Sequence, residues 1–388
     1  MRTHRRILTA LSLLALCVLV AEEAGAIPAF ARKYNMSCLT CHQPFPKLKA
    51  YGEEFAGNGF QLPGKEPARA FRKTGDDWLL LMREIPLALR MDGFLRWRPQ
   101  ESGRSDFQTP YILKILSGGN IAHDVSYYFY FFFSERGEVA GIEDAFIFFN
   151  DVFSTGLDLS IGQFQVSDPL FKRELRLSFD DYRIYGVRPG NSNINLTYDR
   201  GVVLSYGLPT GTDLSFQLLN GSGIGIADAG RNFDSDKYKN LMLRISQDIV
   251  DPLRVGAFGY YGKEEQLGIV NALWMAGGDL TVALDKIELN AQYVERRDDN
   301  PTFVDPAVKL ETRGAFAEVI YIPEGDDSRV YGVLLWNWLE GKYWTLKSNA
   351  LTGHLGYVLM RNLRLTGEYT YDFVLQSSAV TFGFASAF

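Results

Sequence analysis

Five residues, Cys38-Leu39-Thr40-Cys41-His42, bring two thiols and one imidazole together in the pattern CxxCH. That pattern is the attachment site of a c-type haem. The thiols add across two vinyl groups of the porphyrin. The two residues between them set a turn that lets both sulfurs reach one ring, and the adjacent histidine supplies the proximal iron ligand. A CxxC redox pair or a local disulfide is the competing chemistry. The chain holds 3 cysteines and 4 histidines, so chance assembly of the full pattern is a poor explanation. One covalent haem c is therefore expected on Cys38 and Cys41, with His42 on the iron.

The following residues suit haem packing. Pro46 is placed to open a helix and Gly57 to follow its end. Phe45, Leu48, Gly52 and Phe55 recur at three- or four-residue spacing, which gives one apolar face. An ordinary amphipathic helix would show the same face. Residues 27–62 are too few to enclose a haem unaided, so the segment is expected to lean on something else. Residues 63–84 read as a linker to it.

Ahead of the motif, Arg2, Arg5 and Arg6 precede an apolar run from Ile7 to Val20 and the small residues Ala24-Gly25-Ala26. These are the three parts of a secretory leader, expected to span residues 1–26. The Arg5-Arg6 pair keeps twin-arginine export as the lesser alternative. Cys17 goes with the leader. The chain carries 40 Lys and Arg against 46 Asp and Glu, an acidic balance that speaks against a nucleic-acid partner. No apolar run is long enough for a spanning helix.

From residue 85 the period changes to two. Leu87, Leu89, Met91, Gly93, Leu95 and Trp97 alternate with Ala88, Arg90, Asp92, Phe94, Arg96 and Arg98, and Leu363 to Phe373 repeats the pattern. One face is apolar and the other charged, as in a strand with lipid on one side. About 16 such strands follow, from 86–98 to 378–388, with one ending at 117 before a turn at Ser117-Gly118-Gly119-Asn120. The expected fold class is all-β: an antiparallel outer-membrane β-barrel over residues 85–388, behind a small helical haem segment. Short turns after even-numbered strands and long loops after odd ones, near 167–193, 221–238 and 298–309, place both termini in the periplasm. A soluble all-β sandwich is the alternative, but no helices are available to cover so large an apolar face.

Within this barrel the longest loop, Ser167 to Asn193, is rich in charge. It reads equally as a constriction folded into the lumen or as a solvated surface loop. For a sixth iron ligand, strand parity points His354 inward and His123 toward lipid, so His354 is the barrel candidate. Met36, Met82 and Met91 are its rivals.

Taken together, Ile27-Pro28-Ala29-Phe30-Ala31-Arg32, CxxCH, Phe45-Pro46-Lys47-Leu48 and Gly57-Asn58-Gly59-Phe60 resemble the N-terminus of the fused monohaem cytochrome–porins. Some members of that family are outer-membrane iron oxidases. The resemblance implies electron transfer from extracellular Fe(II) to a periplasmic electron carrier, and an Fe(II)-oxidising enzyme if the activity is enzymatic. The apolar band to be crossed is about 25 Å tall, so residues 27–62 are expected to plug the barrel and hold the haem within it. A porin for small solutes with a structural or sensory haem, and a conduit to an extracellular acceptor, stay open beside that reading.

Overall fold

Alternation at every second residue forces a choice of what lies on each face of a sheet. In β16 (Ser348–Met360), Thr352, His354 and Val358 are buried, whereas Leu351, Leu355 and Tyr357 are exposed. In β17 (Leu363–Asp372), Arg364, Glu368 and Asp372 are buried, whereas Leu365 and Tyr369 are exposed. Polar residues face inward and apolar ones outward, the inverse of a soluble protein and the pattern that a lipid-facing barrel requires.

The computed structural model describes residues 29–62, 71–79, 81–100, 103–234, 236–342 and 346–388. The expected leader, 1–26, lies outside the described residues, as do 63–70 and 80 of the expected linker. Fourteen further strands join the two above: β3 (Leu87–Arg98), β4 (Arg104–Ala122), β5 (Val125–Glu135), β6 (Gly141–Phe149), β7 (Leu157–Gln165), β8 (Tyr198–Leu208), β9 (Thr212–Leu219), β10 (Asn240–Val250), β11 (Leu253–Gln266), β12 (Ile269–Ala283), β13 (Ile287–Asp298), β14 (Leu310–Tyr321), β15 (Val330–Gly341) and β18 (Ser377–Ala387). Each pairs antiparallel with its sequence neighbours, and β18 pairs with β3 to close a barrel of 16 strands.

Two expectations need correction. The chain does not turn at Ser117–Asn120; β4 runs on to Ala122 and reverses at His123 and Asp124. The cause is close approach: a Cβ on Gly118 would meet Phe30 and Tyr128 at 3.0 Å each. Glycine here admits another chain to the strand's surface instead of breaking the strand. His123 therefore sits on the turn, its side chain 93% exposed and bonded to Asp124, not on a lipid-facing strand. Within residues 63–84, expected as linker, Phe71–Arg72 (β1) and Leu81–Met82 (β2) form a short antiparallel ladder.

In an up-and-down barrel every second connection lies at the same end as both ends of the sheet. That end carries 123–124, 150–156, 209–211, 251–252, 284–286, 322–329 and 361–362, five of which are tight turns of two or three residues. The other end carries the three longest connections, 166–197, 220–239 and 299–309. The N-terminal segment sits at the end with the tight turns. Its helices are α1 (Ala29–Tyr34) and α2 (Ala50–Gly57). The helical turn starts later than Pro46 suggested, because Pro46 and Lys47 instead bond the ring of His42.

Candidate functional site

The CxxCH residues fold into a tight 3-10 turn, Cys38–Thr40, whose first N–H groups are capped by the Ser37 hydroxyl accepting from Leu39 N at 3.3 Å. Cys41 N and His42 N both donate to Cys38 O, at 3.2 and 2.9 Å. This wraps the two cysteines and His42 around one carbonyl. Helix α2 then crosses the turn so closely that a Cβ on Gly52 would strike the carbonyl oxygen of Cys41. Only glycine allows that crossing.

Nearby rings join the segment to the barrel. Phe30 stacks on Phe60 at 5.0 Å and meets Phe55 edge-on at 5.3 Å; Phe60 in turn stacks on Tyr128 of β5 at 4.7 Å. Tyr128 faces inward. Lys33 donates to Asn120 of β4 at 3.2 Å, and Asn120 donates to Gln61 at 2.8 Å. Across the mouth, Lys47 pairs with Glu288 of β13 and Lys49 with Asp326, both at 2.7 Å. The segment is thus tied to inward-facing wall on both sides, and its small core is completed by the barrel.

Between segment and wall lies a space of about 1440 Å³, its solvent-filled opening included. Cys38, Cys41 and His42 line it, with Phe45, Leu48 and Phe55 of the expected apolar face. Burial pushes both thiols up and holds His42 down, as a neutral imidazole. The His42 Nδ1 lies 3.0 Å from Pro46 O and 3.3 Å from Lys47 O. Carbonyls only accept, so Nδ1 carries the proton and Nε2 keeps its lone pair. Two thiols, a free imidazole nitrogen and an apolar wall fit a covalently held haem.

The candidates for a sixth ligand separate. Met36 lines this space. His354 does not: it is buried on β16 with Nδ1 2.9 Å from Glu368, and its Nε2 has no partner. Met91 shares the outward face of β3 with Leu87, and Met82 lies beside Gly119 on β2.

The far wall holds groups that periodicity did not single out as a set. Arg90 pairs with Asp92 at 2.7 Å, Lys114 with Glu174 at 2.8 Å, and Asp144 and Asp168 stand beside them. Lys114 interrupts an otherwise apolar stretch, Ile112-Leu113-Lys114-Ile115-Leu116, and Asp144 follows Glu143 ahead of the apolar Ala145-Phe146-Ile147. Glu174 is pushed up by burial, but Lys114, Arg176 and Arg90 outweigh that and hold its carboxyl below the ordinary range.

Glu174 belongs to the 166–197 loop, which folds into the lumen. It meets β3 and β4 through Glu174, and β11 through Asn193 N donating to Glu264 at 3.0 Å. β3 and β11 are eight strands apart in a ring of 16, so the loop crosses the full bore. Leu170, Tyr182, Ile184 and Tyr185 form one buried cluster with wall residues Leu219, Met242, Phe258 and Phe316. Tyr182 stacks on Phe316 at 4.2 Å and donates to Glu318 at 2.9 Å. Phe179 N and Asp180 N donate to Glu368 at 2.7 and 2.9 Å, and Arg183 pairs with Asp372 at 2.7 Å. Arg173, Glu174 and Arg183 hold the loop in place, and its apolar side chains pack on the inward-facing wall.

The barrel is similar to solved outer-membrane porins. The anion-selective porin from Comamonas acidovorans matches at 14% identity with a TM-score of 0.57, over 79% of this chain and 99% of that one. OmpF of Salmonella typhi, solved in complex with daunomycin, matches at 13% with a TM-score of 0.58, over 78% and 97%. The outer membrane channel DcaP of Acinetobacter baumannii matches at 15% with a TM-score of 0.54, over 79% and 97%. At these identities the likeness is one of fold. Neither a protein-family model nor a curated protein sequence matches the chain.

Proposed function

We propose that this protein is an electron conduit of the bacterial outer membrane, built on a porin-type barrel with both termini in the periplasm. One haem c would be held by Cys38 and Cys41, with His42 on the iron. Bound there, the haem supplies a one-electron couple. Residues 29–62 carry it into the mouth, and the Pro46 and Lys47 carbonyls fix the His42 tautomer. The 166–197 loop crosses the bore beyond it. The carrying observation is that both thiols and the free side of His42 line one space inside the mouth. Following the resemblance to the fused cytochrome–porins, we assign extracellular Fe(II) as donor and a periplasmic electron-carrier protein as acceptor, which makes the protein an Fe(II)-oxidising cytochrome. Of the sixth-ligand candidates, the cavity lining favours Met36 over His354.

The test is spectroscopic. Full-length protein from cells that make c-type cytochromes is expected to keep a haem through a denaturing gel, and Fe(II) is expected to reduce it. No covalent haem, or a haem that Fe(II) leaves oxidised, refutes the reading.

A second reading is a channel for small solutes in which the haem is structural or sensory. The fold comparisons by themselves favour it, because the similar structures are porins and a channel. The loop that crosses the bore favours the first reading. Conductance in planar bilayers separates the two: steady porin-like currents from the intact protein support the channel.

A further inference from the structure

The wall that faces the CxxCH turn places two carboxyls outside its ion pairs. Asp144 comes from β6, with Glu143 beside it but off the lining, and Asp168 and Glu174 come from the loop. The cations on this side are Arg90, Lys114 and Lys172, with Arg176 acting on Glu174. Arg90 is taken by a two-point contact with Asp92, at 2.7 and 3.1 Å, and Lys114 by Glu174. Lys172 faces Asp168 and also Glu53 of α2. Asp144 is 7% exposed, and its Oδ1 has no hydrogen-bond partner. The remaining groups turned toward this cluster are neutral phenols: Tyr128, Tyr130 and Tyr198, with Tyr130 donating to Glu143 at 3.3 Å. From the N-terminal segment, His42 faces the same space, and Arg361 lies at the opposite rim beside Cys38.

A carboxyl buried without a cation of its own is costly to keep ionised away from water, and a proton relieves that cost. A haem in the adjoining space gains one positive charge when its iron is oxidised. That charge acts through a low-dielectric wall, where it is strongly felt.

Resting on the haem reading above, we propose that Asp144 and Asp168 form a proton-binding site coupled to the oxidation state of the haem. With a haem held by Cys38, Cys41 and His42, the pair would release a proton through the cavity mouth to solvent as the haem is oxidised by the acceptor. When an electron returns, the pair takes a proton back. Each turnover then moves one electron and up to one proton, with no other reactant.

Redox titration of the full-length, haem-loaded protein between pH 5 and 9 tests this. The midpoint potential is expected to fall with pH, with a slope approaching about 59 mV per unit, the limit for one proton per electron. Asp144→Asn and Asp168→Asn are each expected to flatten the slope, whereas Asp144→Glu keeps it and Asp285→Asn, on an exposed turn, leaves it unchanged. A flat wild-type slope overturns the proposal, as does a wild-type slope in both asparagine variants with unaltered haem spectra. If Asp144→Asn fails to assemble, an unchanged slope in Asp168→Asn overturns it alone. Absence of covalent haem overturns this inference together with the reading beneath it; haem present with a flat slope overturns this inference only.

Discussion

The Nδ1 of His42 and the carbonyl oxygen of Pro46 are 3.0 Å apart, and that contact decides which face of the imidazole is available. Replacing the ring leaves the barrel wall untouched, since no strand depends on it. His42→Ala is expected to assemble as a heat-resistant barrel on mild gels while its haem absorbance is lost or strongly altered. The double variant Cys38→Ser, Cys41→Ser is expected to assemble too and to show no haem peroxidase stain after denaturation.

Gly52 is where α2 passes over the backbone of Cys41. A methyl group there has backbone, not a yielding side chain, in its path. Gly52→Ala is expected to destabilise the segment by about 1–3 kcal/mol, as overpacking does. The readout is faster proteolysis of the N-terminal segment in folded protein, with the barrel's own thermal transition unchanged.

Lys114 and Glu174 tie β4 to the lumen loop. Removing the cation leaves a half-buried carboxylate, so Lys114→Met is expected to cost on the order of 2–3 kcal/mol. That is below the ~3–5 kcal/mol of a fully buried broken pair, because Glu174 keeps 24% of its side chain exposed. The pH dependence follows from the lowered Glu174 carboxyl. A depressed folded value means the stabilisation is complete above the unfolded glutamate value of about 4.3 and fades as pH falls below it. Wild type is therefore expected to lose loop stability in acid more steeply than Lys114→Met does, as followed by hydrogen exchange at Phe179 and Asp180.

Tyr182 of the lumen loop stacks on Phe316 of the barrel wall. Tyr182→Ala removes the ring and leaves Glu318 without its donor, at about 3–5 kcal/mol for a large core aromatic. Intact protein is expected to be nearly silent in planar bilayers, and Tyr182→Ala, Phe316→Ala to open measurable currents. A wild type already as conductive as the double variant contradicts a blocking role for the loop.

Much of this was legible in the order of residues, and the exceptions share a cause. Period-two alternation carried the strands, because inward and outward positions see different media along their whole length. Gly118-Gly119 misled because glycine marks a turn and a close approach alike, and only Phe30, 88 positions earlier, tells them apart. In the loop, charges such as those of Arg173, Glu174 and Arg183 suit a lumen constriction and a solvated surface loop equally. The residues that pack the loop on the wall, Leu170, Tyr182 and Ile184, have no periodicity to betray them. Phe45, Leu48, Gly52 and Phe55 were grouped correctly as one lining, although the helix through them starts only at Ala50. Asp144 and Asp168 stayed hidden as partners since nothing local relates a strand to a loop.

The seam between β18 and β3 also sets a clock. Leu89 N donates to Phe388 O at 2.6 Å and Phe388 N to Leu89 O at 2.8 Å, so the first barrel strand waits for the last before either edge is satisfied. Until then both edges are open to pairing with other chains, and closure joins the residues most distant in sequence, the slowest kind of contact to make. The N-terminal segment is moored beside that waiting edge, with Arg32 donating to Leu87 O. The same strand thus carries the closing seam and an anchor of the N-terminal segment.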